Sequence, residues 1–370
     1  MLDFATLRTV VASRFYVLDA YIESPQQVPT FIVAWEPPKA KFRGLLDDLA
    51  KYGLYPILRR QGQNLVVRIV ERPRVKSSRF QVNMVLFFAT LATISYSSYL
   101  LLADMDPRLL EAFYFVPSLP LDTLLFQMLL FSGSIIAIIG LHELGHKLAA
   151  WYHRLDATLP YFLPGLPPIG TFGAVISLRS PPANKDQLFD LGFSGPFVGF
   201  VVTVIVGILS FVTSPTLSLE TANKLAEQGL LLYQGWPNVP ALMLLIGLFD
   251  IRPIPSDQVL VLNQVAFAAQ IGALVTFLNI LPVWQLDGGH ISRAVFGRDG
   301  HRWATYLGLG ILLVARYWVF AILLFVLMFG RGRGLTGVEP LDDVSPLSVS
   351  RRLVFVVALV MLALTFVVMG

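Results

Sequence analysis

Phe131-Ser-Gly-Ser-Ile-Ile-Ala-Ile-Ile-Gly-Leu-His-Glu-Leu-Gly-His146 decides how this sequence is read. The stretch is apolar enough for a bilayer interior, and it runs without a break into two histidines and a glutamate. Residues i and i+4 share one helical face. His142 and His146 can therefore turn both imidazoles to one zinc ion, and Glu143 can reach a water there as general base. An ionisable side chain mid-helix in lipid costs on the order of 2.5–3.5 kcal/mol. Three such groups together need a partner, and a metal ion supplies one. The bland alternative is a hydrogen-bonded His–Glu network between helices.

The rest of the chain has the composition of a membrane protein. Of 370 residues, 55% are hydrophobic and only 14% charged, where soluble domains carry about a quarter. The net charge of +4 is gathered in short segments beside apolar runs. It reads as a topology signal, and nucleic-acid binding is not expected. There is no cysteine, so disulfides and thiolate metal sites are excluded and any metal must use His, Asp or Glu. No signal peptide or inverted repeat is visible.

Working outward, residues 1–78 read as a small α+β soluble domain of ββαββ pattern, with strands at 15–22, 31–35, 55–58 and 65–70 and a helix at 39–52. Apolar runs follow at about 82–103, 124–150, 189–213, 260–283, 303–329 and 352–369. The expected fold is an all-α polytopic bundle of about six transmembrane helices over 79–370. The fifth run carries Arg316 and fits one kinked span or two short segments. Val239–Phe249 is too short to span and reads as re-entrant or interfacial. Arg72, Arg74, Lys76 and Arg79 precede the first span. Basic loops (Lys147, Arg154, Arg179 and Lys185; Arg293, Arg298 and Arg302) alternate with loops rich in Asp and Glu, among them Asp250. Basic loops face the cytoplasm. This places the N-terminal domain and the ends of spans two and four on the cytoplasmic side.

A catalytic zinc keeps three protein ligands and one open position. The best third ligand is Asp287 in Asn279-Ile-Leu-Pro-Val-Trp-Gln-Leu-Asp-Gly-Gly-His290, since topology sets it at the same depth as His146. An interfacial helix-end carboxylate is the plain alternative. His290 would close the open position and is expected to support the site instead. His153 and His301 flank spans and are expected at the interface. Gly195-Pro-Phe-Val-Gly199 with Gly192 supplies a small-residue face for tight helix packing.

His142-Glu-Leu-Gly-His146 together with Asn279-x-x-Pro282-x-x-x-Leu286-Asp287-Gly288 resembles the site-2 protease family of intramembrane zinc metalloproteases, peptidase family M50. The resemblance covers roughly residues 80–370. It is nearest to the archaeal and plastid-type branch with an N-terminal soluble domain; no PDZ-like or CBS-like segment is seen. It implies one zinc ion per chain on His142, His146 and Asp287, Glu143 as base and proton donor, and Asn279 as a donor to the polarised carbonyl. It also implies that Gly170, Thr171, Phe172, Gly173, Ala174 and Val175 form a membrane-embedded strand. An unwound substrate would pair with that strand. The substrate would be a single-span membrane protein entering from the bilayer. A catalytically silent chaperone or binding homologue, and a zinc or small-molecule transporter, are the rival readings. Filled motif positions argue against the first. Polar groups clustered at one depth argue against the second.

Overall fold

The computed structural model describes residues 2–72, 79–116, 118–231, 237–249, 251–330 and 338–368. Arg74, Lys76, Asp250 and the boundary drawn at residue 78 lie outside these ranges.

The N-terminal unit runs α1 (Phe4–Ala12), β1 (Val17–Glu23), β2 (Val28–Val33), α2 (Lys39–Ala50), β3 (Leu54–Gln61) and β4 (Asn64–Glu71). Every expected strand is present. The leading helix α1 is additional: Leu7 and Val11, one turn apart, are both buried. The sheet is antiparallel, in the order β1-β2-β4-β3. Gln61 pairs with Asn64, so the β3–β4 turn has two residues. Gly62 sits there at φ 60°, the backbone such a hairpin demands. Helix α2 buries Phe42, Leu45 and Leu49 in one core with Phe31, Leu58 and Leu65.

The remainder is mostly helical: α3 (Phe80–Ala103), α4 (Pro107–Tyr114), α5 (Leu121–Tyr152), β5 (Tyr161–Pro164), β6 (Thr171–Val175), α6 (Lys185–Thr213), β7 (Thr216–Ser218), α7 (Leu219–Glu227), α8 (Ala241–Leu248), β8 (Gln258–Leu260), α9 (Gln264–Ile280), α10 (Asp287–Val314), α11 (Trp318–Gly330) and α12 (Val349–Thr365). Helices α3, α5 and α6 are long and apolar enough to cross a membrane; α9 and α11 are apolar but shorter. With 32 residues, α5 is about 48 Å long at 1.5 Å per residue, well beyond a ~30 Å hydrocarbon core. The protein is thus a helical membrane protein with a small α/β region at its N-terminus.

Two ambiguous stretches resolve. The run 303–329 is two segments, because α10 ends at Val314 and Arg316 takes φ 68° before α11 begins. Helix α10 is itself broken at Gly297 (φ 73°), so the arm bearing Asp287 is separate from the apolar part. The run 239–249 contains only α8, which buries Leu242, Met243 and Ile246.

Helix α6 is the centre of the bundle, packed against α5, α9 and α10. The segment 338–348, which carries no sequence signal, ties the bundle to the N-terminal unit. Leu341 enters the N-terminal core. Its carbonyl accepts from Leu58 N–H (2.9 Å), and its own N–H donates to Pro182 (2.9 Å). Arg59 adds hydrogen bonds to the Pro340 and Leu341 carbonyls and pairs with Glu339 at 3.0 Å. On the bundle side, Asp343 accepts both terminal nitrogens of Arg293, at 2.9 and 2.7 Å. Arg293 is fully buried. The expectation that Arg293 belongs to a basic loop is therefore corrected, since it lies within α10.

Candidate active site

His142, Glu143 and His146 lie two-thirds of the way along α5, all buried. Asp287 opens α10, where the positive end of the helix dipole favours a carboxylate. The loop before it folds back tightly: a Cβ at Gly288 would overlap the Ile280 carbonyl. Thr305 braces the same loop, accepting from Trp284 N–H at 3.2 Å and donating to the Pro282 carbonyl at 3.3 Å.

The fold brings α10 to α5. His142 Nε2 and His146 Nε2 each lie 3.3 Å from Asp287 Oδ2, and 3.2 Å from one another. Three potential donors thus form a nearly equilateral triangle. His146 Nδ1 lies 2.7 Å from the Leu191 carbonyl. A carbonyl can only accept, so Nδ1 carries the proton and Nε2 keeps its lone pair toward the triangle. His142 Nδ1 is buried without a partner. Glu143 stands beside the triangle but is engaged elsewhere: its Oε2 accepts from Ile176 N–H at 2.9 Å. His142, Glu143 and His146 also form a buried group whose ligand atoms lie within 4.8 Å of one another, close enough to hold a metal ion.

These side chains line a cavity of about 260 Å³ with Asn279, Gln285, His290 and the chain from Ala174 to Ile176. Of the six strand residues singled out from sequence, Ala174 and Val175 reach this cavity. Gly170, Thr171, Phe172 and Gly173 do not line it. Gly170 packs on the α3 backbone at Thr93–Ile94, and Thr171 Oγ1 donates to the Leu163 carbonyl within the hairpin. Strand β6 pairs antiparallel with β5, a partner that the prolines around it hid from sequence reading. His301 is fully buried within the protein, 2.7 Å from Ser292 Oγ. His153 binds Asp190 at 2.8 Å.

A family profile described as peptidase family M50 matches residues 130–315, from mid-α5 through α6 and α9 to the end of α10. The chain belongs to peptidase family M50. Among its curated relatives is the probable zinc metalloprotease EGY1, chloroplastic, of Oryza sativa subsp. japonica. The two are 30% identical over 246 residues, 63% of this chain and 39% of that one. The Arabidopsis thaliana protein of the same name is 29% identical, over 62% and 41% of the two chains. A probable zinc metalloprotease EGY3, chloroplastic, of Oryza sativa subsp. indica is 25% identical, over 66% and 42%. The chain spans about two fifths of the length of these relatives. No solved structure gives a significant match.

In this M50 chain, sequence reading missed what the α6 glycines do. They were assigned to helix packing in general, yet each meets one member of the triangle. A Cβ at Gly195 would overlap the His146 ring. One at Gly199 would lie 2.9 Å from His142 Nδ1. One at Gly192 would lie 2.6 Å from the Asp287 carbonyl. The available signal was the i, i+3, i+7 spacing, which lines one helical face.

Proposed function

We propose that this chain is a zinc metalloendopeptidase that hydrolyses peptide bonds within or near the transmembrane segment of single-span membrane proteins. One zinc ion per chain would be held by His142, His146 and Asp287. The observation that carries the reading is the triangle of donor atoms with edges of 3.2, 3.3 and 3.3 Å. Ligand atoms at about 2.0–2.1 Å from a tetrahedral zinc lie about 3.3–3.4 Å apart. Three protein donors at that spacing would suit a catalytic zinc, which keeps three protein ligands and one open position.

Zinc in that position supplies Lewis acidity, making water a better proton donor and a carbonyl carbon more electrophilic. The chain does the rest. Glu143 takes a proton from the attacking water, whose oxygen joins the carbonyl carbon. The same carboxyl group returns a proton to the amide nitrogen as the C–N bond breaks. The Ile176 N–H holds Oε2 and leaves Oε1 for this work. Asn279, on the cavity wall, donates to the carbonyl oxygen as it gains charge. The edge of β6 around Ala174 and Val175 receives the unwound substrate as an added strand, which satisfies its freed backbone groups.

The same reading gives the whole chain its roles: a cytoplasmic soluble domain over residues 1–78, and a multi-pass proteolytic domain over 79–370 with about six spans and its cavity opening to the cytoplasm. The test is metal analysis beside cleavage of a model transmembrane substrate, for the parent chain, His142→Ala and Asp287→Ala. About one zinc per chain in the parent, with zinc and cleavage both lost in the variants, is the expected result. Full metal content in Asp287→Ala would defeat the assignment.

A further inference from the structure

A second cavity, of about 630 Å³, lies between the N-terminal unit and the bundle, apart from the catalytic one. Helix α2 forms one wall. The end of α5 and the start of α6 form the other. Five cationic side chains line it, Lys39, Arg43, Arg72, Arg154 and Arg351, against two carboxylates, Asp47 and Asp186. Lys39 and Arg351 are already engaged, by Asp186 at 2.7 and 3.5 Å and, for Arg351, by Asp190 at 2.5 Å. The other three have no carboxylate partner among the described residues. Arg72 reaches only the Ser180 hydroxyl (3.3 Å) and lies over the Tyr55 ring at 5.6 Å. Arg43 and Arg154 make no side-chain ion pair there.

Arg154 occupies a telling position. It ends α5 at φ 56°, with Leu155 N–H turning back to the Ala150 carbonyl at 2.8 Å. Glycine suits that left-handed position, and an L-residue bearing a Cβ is strained there. An arginine at that point directs a guanidinium into the cavity at the expense of helix-end comfort. Three and two residues before it, Trp151 and Tyr152 are 75% and 74% exposed, while the intervening His153 is paired with Asp190 at 2.8 Å. Such amphipathic rings at the end of a spanning helix mark the headgroup level of a bilayer.

We propose that this cleft binds the phosphate-bearing headgroup of an anionic phospholipid. Guanidinium forks match phosphate oxygens in pairs. The volume lies within the range of small-ligand sites. Tyr152 lines the cleft, and with its neighbour Trp151 it is the kind of exposed ring found at the headgroup level of a bilayer, which favours a lipid over a soluble phosphate compound. The bound headgroup bridges α2 to α5 and so joins the N-terminal unit to the bundle at the membrane surface. This inference does not depend on the proposed hydrolysis.

The test uses the full chain in zwitterionic detergent micelles. It is titrated with short-chain phosphatidylglycerol, with the matching phosphatidylcholine, and separately with inorganic phosphate and ATP, binding being followed by tryptophan fluorescence and thermal shift. Phosphatidylglycerol is expected to bind at least tenfold more tightly than phosphatidylcholine. The R43Q/R72Q/R154Q variant should lose that preference, whereas Arg8→Gln, which removes an exposed charge from α1, should keep it. Arg43→Gln and Arg154→Gln alone, neither of which breaks an ion pair, each give a smaller loss and guard against misfolding of the triple variant. Equal binding of the two lipids overturns the proposal, as does an unchanged preference in a folded triple variant. Saturable binding of phosphate or ATP that phosphatidylglycerol cannot displace overturns it in favour of a soluble ligand.

Discussion

Gly195 of α6 lies so close beneath His146 of α5 that no side chain fits between backbone and imidazole. The ring is thus held from both sides: the Leu191 carbonyl fixes Nδ1, and the bare Gly195 backbone fixes the plane. Gly195→Ala should displace the ring while leaving the apolar packing of α6 elsewhere intact. Supporting contacts of metal ligands are worth roughly 10–100-fold in metal affinity. A loss of that size is expected by chelator competition. Parent-like zinc affinity in the variant would show that the contact does not hold the ring.

Glu143 is assigned to chemistry and Asp287 to the metal, and the two assignments separate experimentally. Glu143→Gln keeps shape and hydrogen-bonding capacity but cannot accept a proton. Zinc content should stay near parental, with cleavage lowered by roughly 10²–10⁴-fold. Zinc loss in step with activity would move Glu143 into the ligand set.

The Ile176 N–H bonds the Glu143 carboxylate, and a hydrogen bond to a charged group contributes about 1.5–3 kcal/mol. Ile176→Pro deletes that donor. A fall in kcat of roughly tenfold or more is expected at parental zinc content. Ile176→Val should behave like the parent, since it retains the donor.

Arg293 and Asp343 form a pair in which the arginine is fully buried. Removing one partner of such a pair costs about 3–5 kcal/mol, whereas replacing both by apolar residues is often neutral. Asp343→Leu alone should sharply lower the unfolding temperature in detergent, and Arg293→Met with Asp343→Leu should recover most of the loss. Additive losses in the double variant would show that the ion pair itself is not the coupling.

A zinc chelator should abolish cleavage, and restoring one equivalent of zinc should return it. Cleavage that survives complete zinc depletion would remove the proposed cofactor.

Local pattern made much of this legible. His142, Glu143 and His146 share a turn, and polar groups in an apolar run demand an explanation. The N-terminal strands alternate well enough to place each within a few residues. Helix α1 is equally legible in the spacing of Phe4, Leu7 and Val11. The segment 338–348 was not legible. It has no periodicity, and its role lies in backbone pairing with Leu58 and Pro182, distant in sequence. Arg293 was misread for the same reason: a charge near an apolar run counts toward topology unless its partner, here Asp343, is known. The α6 glycines carried a helix-packing signal, while their neighbours His142, His146 and Asp287 come from two other helices.

The path of residues 338–348 has a consequence for how the molecule can be divided. A chain cut at residue 78 would leave Leu341 without its pocket and strip an edge from β3, so neither fragment would keep an intact surface. Grafting the first 72 residues onto another bundle would require transplanting this distant stretch as well. The unit that is inherited, exchanged or expressed alone is therefore discontinuous along the chain.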